Sequence, residues 1–176
     1  MQAHESGSVP GGEASPDVFQ MRQQMFAIGD DFWIENAAGE QVYKVDGKAL
    51  RMRKTLFLET PTGAQVYKIE HELVTIKDTW KIEDDAGTAA TVTKALFTPL
   101  HERYSVELRS GAAWDVKGNI VDHEYEMSGP EGTIAHVSKH WFELTDTYGV
   151  AITPGQDQAL VLAVAIVIDQ VSHPSR

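Results

Sequence analysis

The sequence predicts an all-β fold, a closed antiparallel barrel of about twelve strands around one hydrophobic C-terminal α-helix. Three observations predict it: glycines recurring at a fixed interval, a texture of short apolar runs broken by turn residues, and one uninterrupted apolar run near the C-terminus.

Residues 1–17 are rich in Ser, Gly, Pro and Glu with only isolated apolar side chains. Such a segment buries too little surface to offset the entropy of ordering, and reads as a disordered tail. From Val18 to about Ile152 the texture changes to short apolar runs separated by turn residues, the pattern of many short strands. Residues 18–176 are therefore expected to form a single domain.

Within that domain Gly39, Gly63, Gly87 and Gly111 recur at intervals of 24. An apolar residue stands five positions before each (Ile34, Leu58, Ile82, Val106), and a glutamate four before (Glu35, Glu59, Glu83, Glu107). The return segments Val42-Tyr43-Lys44-Val45 and Val66-Tyr67-Lys68-Ile69 are nearly the same. Each glycine marks a hairpin, because the turn needs a residue that tolerates positive φ. Further strand pairs fill the intervals, among them 49–52 with 56–59, and a fifth unit turns at Gly129-Pro130-Glu131-Gly132. The units and their flanks give roughly ten to twelve strands, and a meander of that length tends to curl and close because an open sheet leaves two edges unpaired.

At the C-terminus Thr153-Pro154-Gly155-Gln156 has the form of a capping box, with Thr153 as N-cap and Pro154 in the first turn. The run Ala159 to Ile168 follows, and a stop is expected near Ser172-His173-Pro174. Its β-branched content also suits a buried strand, but the cap pattern and the length favour a helix. Apolar residues on every face demand apolar surroundings on every side. At ~1.5 Å per residue the run spans only about half of a bilayer's hydrocarbon core, and Asp157 and Asp169 bracket it. The interior of the barrel is the better fit, and no transmembrane span is expected.

Composition narrows the function. The chain has no cysteine, which excludes disulfides, thiolate metal sites and thiol nucleophiles. Residues 1–17 have neither a basic region nor an apolar run, which argues against a signal peptide and for a cytoplasmic protein, at most peripheral at a membrane. The formal net charge of -11 opposes nonspecific attraction to nucleic acid or to an anionic membrane, so that any such binding needs a local basic patch, and it suits a soluble monomer.

One basic cluster stands out in this acidic chain: Lys44, Lys48, Arg51, Arg53 and Lys54. Arg51 and Arg53 would share a strand face and could grip a phosphate together. The competing reading is a solvated outer strand face that guards against aggregation. His136 and His140, with His123 or Glu124, invite a metal reading. Strand positions four apart lie roughly 13 Å from each other, too far to share one ion. The glutamate row is expected along one rim as solvated charges rather than as paired catalytic carboxylates. Trp33, Trp80, Trp114 and Trp141 read as core or barrel-wall residues. The sequence has no G-x-S-x-G, no phosphate-binding or dinucleotide glycine loop and no H-E-x-x-H. No catalytic residue, cofactor or metal is therefore expected.

Several segments, taken in order, resemble the LURP-one-related family: 25–30 and 45–51, then Trp114-Asp115-Val116-Lys117-Gly118-Asn119 with His123-Glu124-Tyr125-Glu126. Residues 134–142, 146–150 and the aliphatic helix continue the likeness. The resemblance implies a Tubby-like barrel of twelve strands around a central helix, a fold shared with phospholipid scramblases. Tubby domains bind phosphoinositide headgroups, whereas no headgroup or calcium ligand of those relatives maps onto positions here. The expectation is a noncatalytic binding or scaffold module that recognises an anionic lipid headgroup near Arg51, Arg53 and Lys54, or a protein partner. The alternatives are a scramblase-like lipid transporter anchored by its C-terminal segment, and a purely structural partner protein.

Overall fold

Alternation along each short run sends every second side chain to one face, and twelve such runs pair into one continuous sheet. The computed structural model describes residues 14–22, 31–47, 54–73, 77–95, 102–141 and 147–172. Its strands are β1 (Asp17–Arg22), β2 (Phe32–Asn36), β3 (Gln41–Asp46), β4 (Thr55–Glu59), β5 (Gln65–His71) and β6 (Thr79–Asp84). They continue with β7 (Gly87–Lys94), β8 (Arg103–Leu108), β9 (Ala113–Asn119), β10 (Glu124–Gly129), β11 (Gly132–Ser138) and β12 (Thr147–Ile152). Among the described residues a 3-10 turn, Lys139–Trp141, follows β11, and a helix, α1 (Gln158–Ser172), follows β12.

Every strand pairs antiparallel with its neighbours in sequence, and β1 closes the barrel against β12, from Asp17 opposite Ile152 to Arg22 opposite Thr147. No edge is left to template aggregation. The 24-residue period is the hairpin period: Gly39, Gly63, Gly87 and Gly111 all have left-handed φ, between 77° and 104°. Three of the four apolar-Glu pairs coincide with a shift of register, at Ile34/Glu35, Leu58/Glu59 and Ile82/Glu83. At those three turns the repeated motif therefore encodes a β-bulge, which adds the local twist that closure requires.

The expected strand at 49–52 lies outside the described residues. Both sides of β4 are already occupied, by β3 and by β5, and Lys54 adopts a left-handed φ of 50°. The expected pairing of 49–52 with 56–59 is therefore replaced by a β3–β4 ladder in which Val45 faces Leu58.

Inside the barrel α1 is walled on every side, with Val161 to Val167 at 0% exposure. Facing it are Ile34, Leu56, Leu58, Ile69, Ile82 and Val106, likewise inaccessible and part of the same apolar core. The helix starts later than the capping-box pattern suggests. Gly155, at φ 87°, turns the chain, and Asp157 is the cap: its Oδ1 accepts from Leu160 N–H at 3.0 Å and its backbone oxygen from Val161 N–H at 3.0 Å. Thr153 instead extends the β11 contact, its N–H donating to Ile134 O and its hydroxyl to Thr133 O. A carboxylate at the positive end of the helix dipole is the stronger cap.

Candidate functional site: the long-loop rim and the lock beneath it

In a meander, alternate connections fall on alternate rims. Residues 37–40, 60–64, 85–86, 109–112 and 130–131 make tight turns on one rim, where α1 also enters. The opposite rim, where the longer connections join the strands, has among the described residues 31, 47, 54, 72–73, 77–78, 95, 102, 120–123 and 139–141, together with the C-terminal end of α1. The two ends of the barrel are thus unlike. Among the described residues the large apolar side chains that remain in solvent, Leu73 at 74%, Val121 at 53% and Trp141 at 42%, all lie on the long-loop rim. Trp141 departs from its expected place in the barrel wall because β11 ends at Ser138 and the chain turns outward.

Two members of the basic cluster, Lys44 and Lys54, are among the described residues, and they lie apart. Lys44 lies on the outer wall, its ammonium 2.8 Å from Asp31 and 3.9 Å from Glu59. The Asp31 hydrogen bond, the largest influence, holds its pKa above the ordinary value. Lys54 is exposed on the long-loop rim, and its backbone oxygen accepts from His71 N–H at 3.1 Å, which ties it to the end of β5 near Leu73. Lys44 faces Glu59, so it lies roughly 16 Å along the strand from Lys54. Lys48, Arg51 and Arg53 lie outside the described residues, in the segment joining β3 to β4.

The glutamate row belongs to the turn-bearing end, as expected, but its members are not all left to solvent. Glu59 faces Lys44, Glu83 faces Lys68 with Oε2 to Nζ at 3.4 Å, and Glu107 faces Thr91 in the equivalent place. Each repeat thus supplies the lysine that pairs with the glutamate of the next, until threonine replaces it.

The three histidines do not converge. His136 is 55% exposed on the wall beside Glu126, and His140 is 85% exposed on the 3-10 turn rather than on a strand. His123 points inward and is 2% exposed. Among the described residues no group of three His, Asp or Glu side chains is placed to hold a metal ion.

Beneath the long-loop rim lies a polar lock that the sequence reading did not find. His123 Nε2 and Asp169 Oδ1 are 2.6 Å apart, with both side chains sealed from solvent. The imidazole stacks on the Tyr148 ring at 4.3 Å between centroids. Burial first, then the nearby Asp169 carboxylate, pushes the Tyr125 and Tyr148 hydroxyls well above the ordinary tyrosine range. Beside them the Ser172 hydroxyl meets Tyr104 OH at 2.9 Å and Glu102 Oε2 at 3.0 Å. The lock fastens the end of α1 to β8 through Ser172 and to the β9–β10 turn through His123, on whose ring Tyr148 of β12 stacks. At the other end of the helix Tyr67 donates to Asp157 Oδ2 at 3.1 Å. The clue in the sequence was Asp169, a charge directly after an apolar run that must be surrounded by protein.

Uncharacterized protein YxjI of Bacillus subtilis (strain 168) is 27% identical over 153 residues, covering 87% of this chain and 92% of that one. The X-ray structure of an Arabidopsis thaliana protein superimposes with a TM-score of 0.68 at 16% identity, covering 89% of this chain and 91% of that one. At that identity the likeness is one of fold, in this chain the closed twelve-stranded barrel with its C-terminal helix. A family model described as LURP-one-related matches residues 18–169, from β1 to the final turn of α1, and the chain belongs to the LURP-one-related family.

Proposed function

We propose that the chain is a noncatalytic docking module whose long-loop rim engages a surface of anionic lipid headgroups. The observation that carries this reading is the asymmetry of the barrel. One end carries the tight glycine turns, while the other presents Leu73, Val121 and Trp141 from three separate connections, with the Lys54 backbone bonded to His71, two residues before Leu73. Apolar tips with an aromatic among them suit the headgroup boundary of a bilayer, and adjoining basic residues suit its negative charge. Noncatalytic action fits the burial of the His123–Asp169 pair, because a general base must reach a substrate proton and this imidazole is 2% exposed.

The test is co-sedimentation with vesicles of phosphatidylcholine alone or with phosphatidylserine or a phosphoinositide. The protein is expected to pellet with the anionic vesicles only. Each basic residue near such a surface contributes about 1 kcal/mol, so Arg51→Glu/Arg53→Glu/Lys54→Glu is expected to weaken partitioning by about a hundredfold or more. Retention of the wild-type protein in the supernatant with every vesicle would remove the lipid reading, and a pull-down would then identify a protein partner.

A further inference from the structure

Two of the three exposed apolar tips belong to connections that meet at one dipeptide. His123 ends the β9–β10 turn with a left-handed φ of 54°, Glu124 opens β10, and their side chains leave in opposite directions. His123 goes inward to Asp169 on α1, at 2.6 Å. Glu124 goes outward, and its Oε1 accepts from the Ser138 hydroxyl at 2.9 Å and from Lys139 N–H at 2.8 Å. These two donors mark the place where β11 ends and the Lys139–Trp141 turn begins. The next amide, His140 N–H, donates to Ser138 Oγ at 3.1 Å, so the Glu124 carboxylate organises the first turn of that segment.

We infer that His123 and Glu124 form a brace that positions the rim: the first residue anchors the Val121 turn to the core helix, and the second aims the Trp141 turn relative to it. The inference rests on the docking reading and assigns these two as positioning residues for it. Neither touches the surface that the rim meets. A contact made through tips on separate loops depends on holding those tips in register before binding, because order already present is not lost on association. The brace supplies that order from the most buried part of the molecule. Glu124 accepts from one hydroxyl and one backbone amide, both at short range, as a bare carboxylate does well and an aliphatic side chain does not.

The decisive comparison uses the full chain with anionic vesicles. Glu124→Ala is expected to lower vesicle affinity about tenfold by loosening both bonds, and to speed hydrogen exchange at the amides of Lys139, His140 and Trp141. Glu124→Gln, whose amide oxygen still accepts from both donors, is expected to restore the affinity and the slow exchange. A purely structural carboxylate would lower the melting temperature and leave the affinity of the folded protein alone. Trp141→Ala is the control. If Trp141→Ala weakens binding and folded Glu124→Ala does not, the brace is overturned and docking stands. If Trp141→Ala and Leu73→Ala both bind as the wild type does, docking by this rim fails and the brace fails with it.

Discussion

Asp115 is where single-residue electrostatics are easiest to test. Its Oδ1 accepts from Arg103 Nε at 2.9 Å, and its Oδ2 lies 2.6 Å from Lys117 Nζ. The Arg103 hydrogen bond, above all, lowers its pKa from 3.8 to about 2. A carboxyl depressed in the folded state binds protons less readily there than in the unfolded chain. Its contribution is therefore complete above the unfolded value and is lost as pH falls from about 4 through about 2. The residues lie on the outer wall, so screening by water leaves under about 1 kcal/mol. Urea midpoints at pH 6 and pH 2.5 should fall further for the wild type than for Asp115→Asn, and parallel losses would refute the assignment. Outer-wall pairs of this kind could not be read from the sequence, because Arg103 and Asp115 meet only through the β8–β9 register. The place of His123 is hidden for a related reason: strand spacing argues against a metal ligand but says nothing of where the ring goes, and only its facing partner on α1 shows it to be a core residue.

At the scale of elements, the hairpins were the most legible part, since a positive φ every 24 residues selects glycine and leaves a mark that survives divergence of the strands. The start of α1 was less legible. Thr153 and Asp157 both suit an N-cap by type, and the choice falls to Asp157 because Thr153 is still bonded to Ile134 and Thr133 of the adjoining strand. Gly118 shows how tightly two elements approach. It faces Tyr125 in the β9–β10 ladder, and a Cβ there would lie 2.4 Å from Glu124 O and 2.6 Å from Tyr125 Cα, backbone atoms with no freedom to yield. Its φ of 144° adds strain for any L side chain. Gly118→Ala is expected to cost more than about 2 kcal/mol in a urea titration. The same change at solvent-open Gly132 leaves only the conformational strain of its φ of 121°. Equal losses at both positions would show that the close approach is not what fixes Gly118.

Considered as a whole molecule, the barrel separates docking from lipid transport by the fate of α1. A scramblase-like anchor requires the helix to leave the barrel for the bilayer, since no helix among the described residues is long and apolar enough to cross a membrane in place. A bilayer would recover the burial of the helix side chains, at about 2 kcal/mol each. It would not recover the opposite half of the same interface. Ile34, Leu56, Leu58, Ile69, Ile82 and Val106 would be left lining an empty lumen, and the Asp169 and Asp157 contacts that hold the two helix ends would break. Six such side chains amount to roughly 12 kcal/mol, comparable to the whole stability of a domain of this size. Docking by the rim incurs none of that cost, because the tips are already in solvent. Hydrogen exchange on the vesicle-bound protein therefore distinguishes the two. The amides of Leu160 to Ile168 are expected to stay as protected as in the free protein while those of Val121 and Trp141 slow down. Rapid exchange along α1 in the bound state would mean that the helix leaves the barrel, and the docking reading would give way to the anchored one.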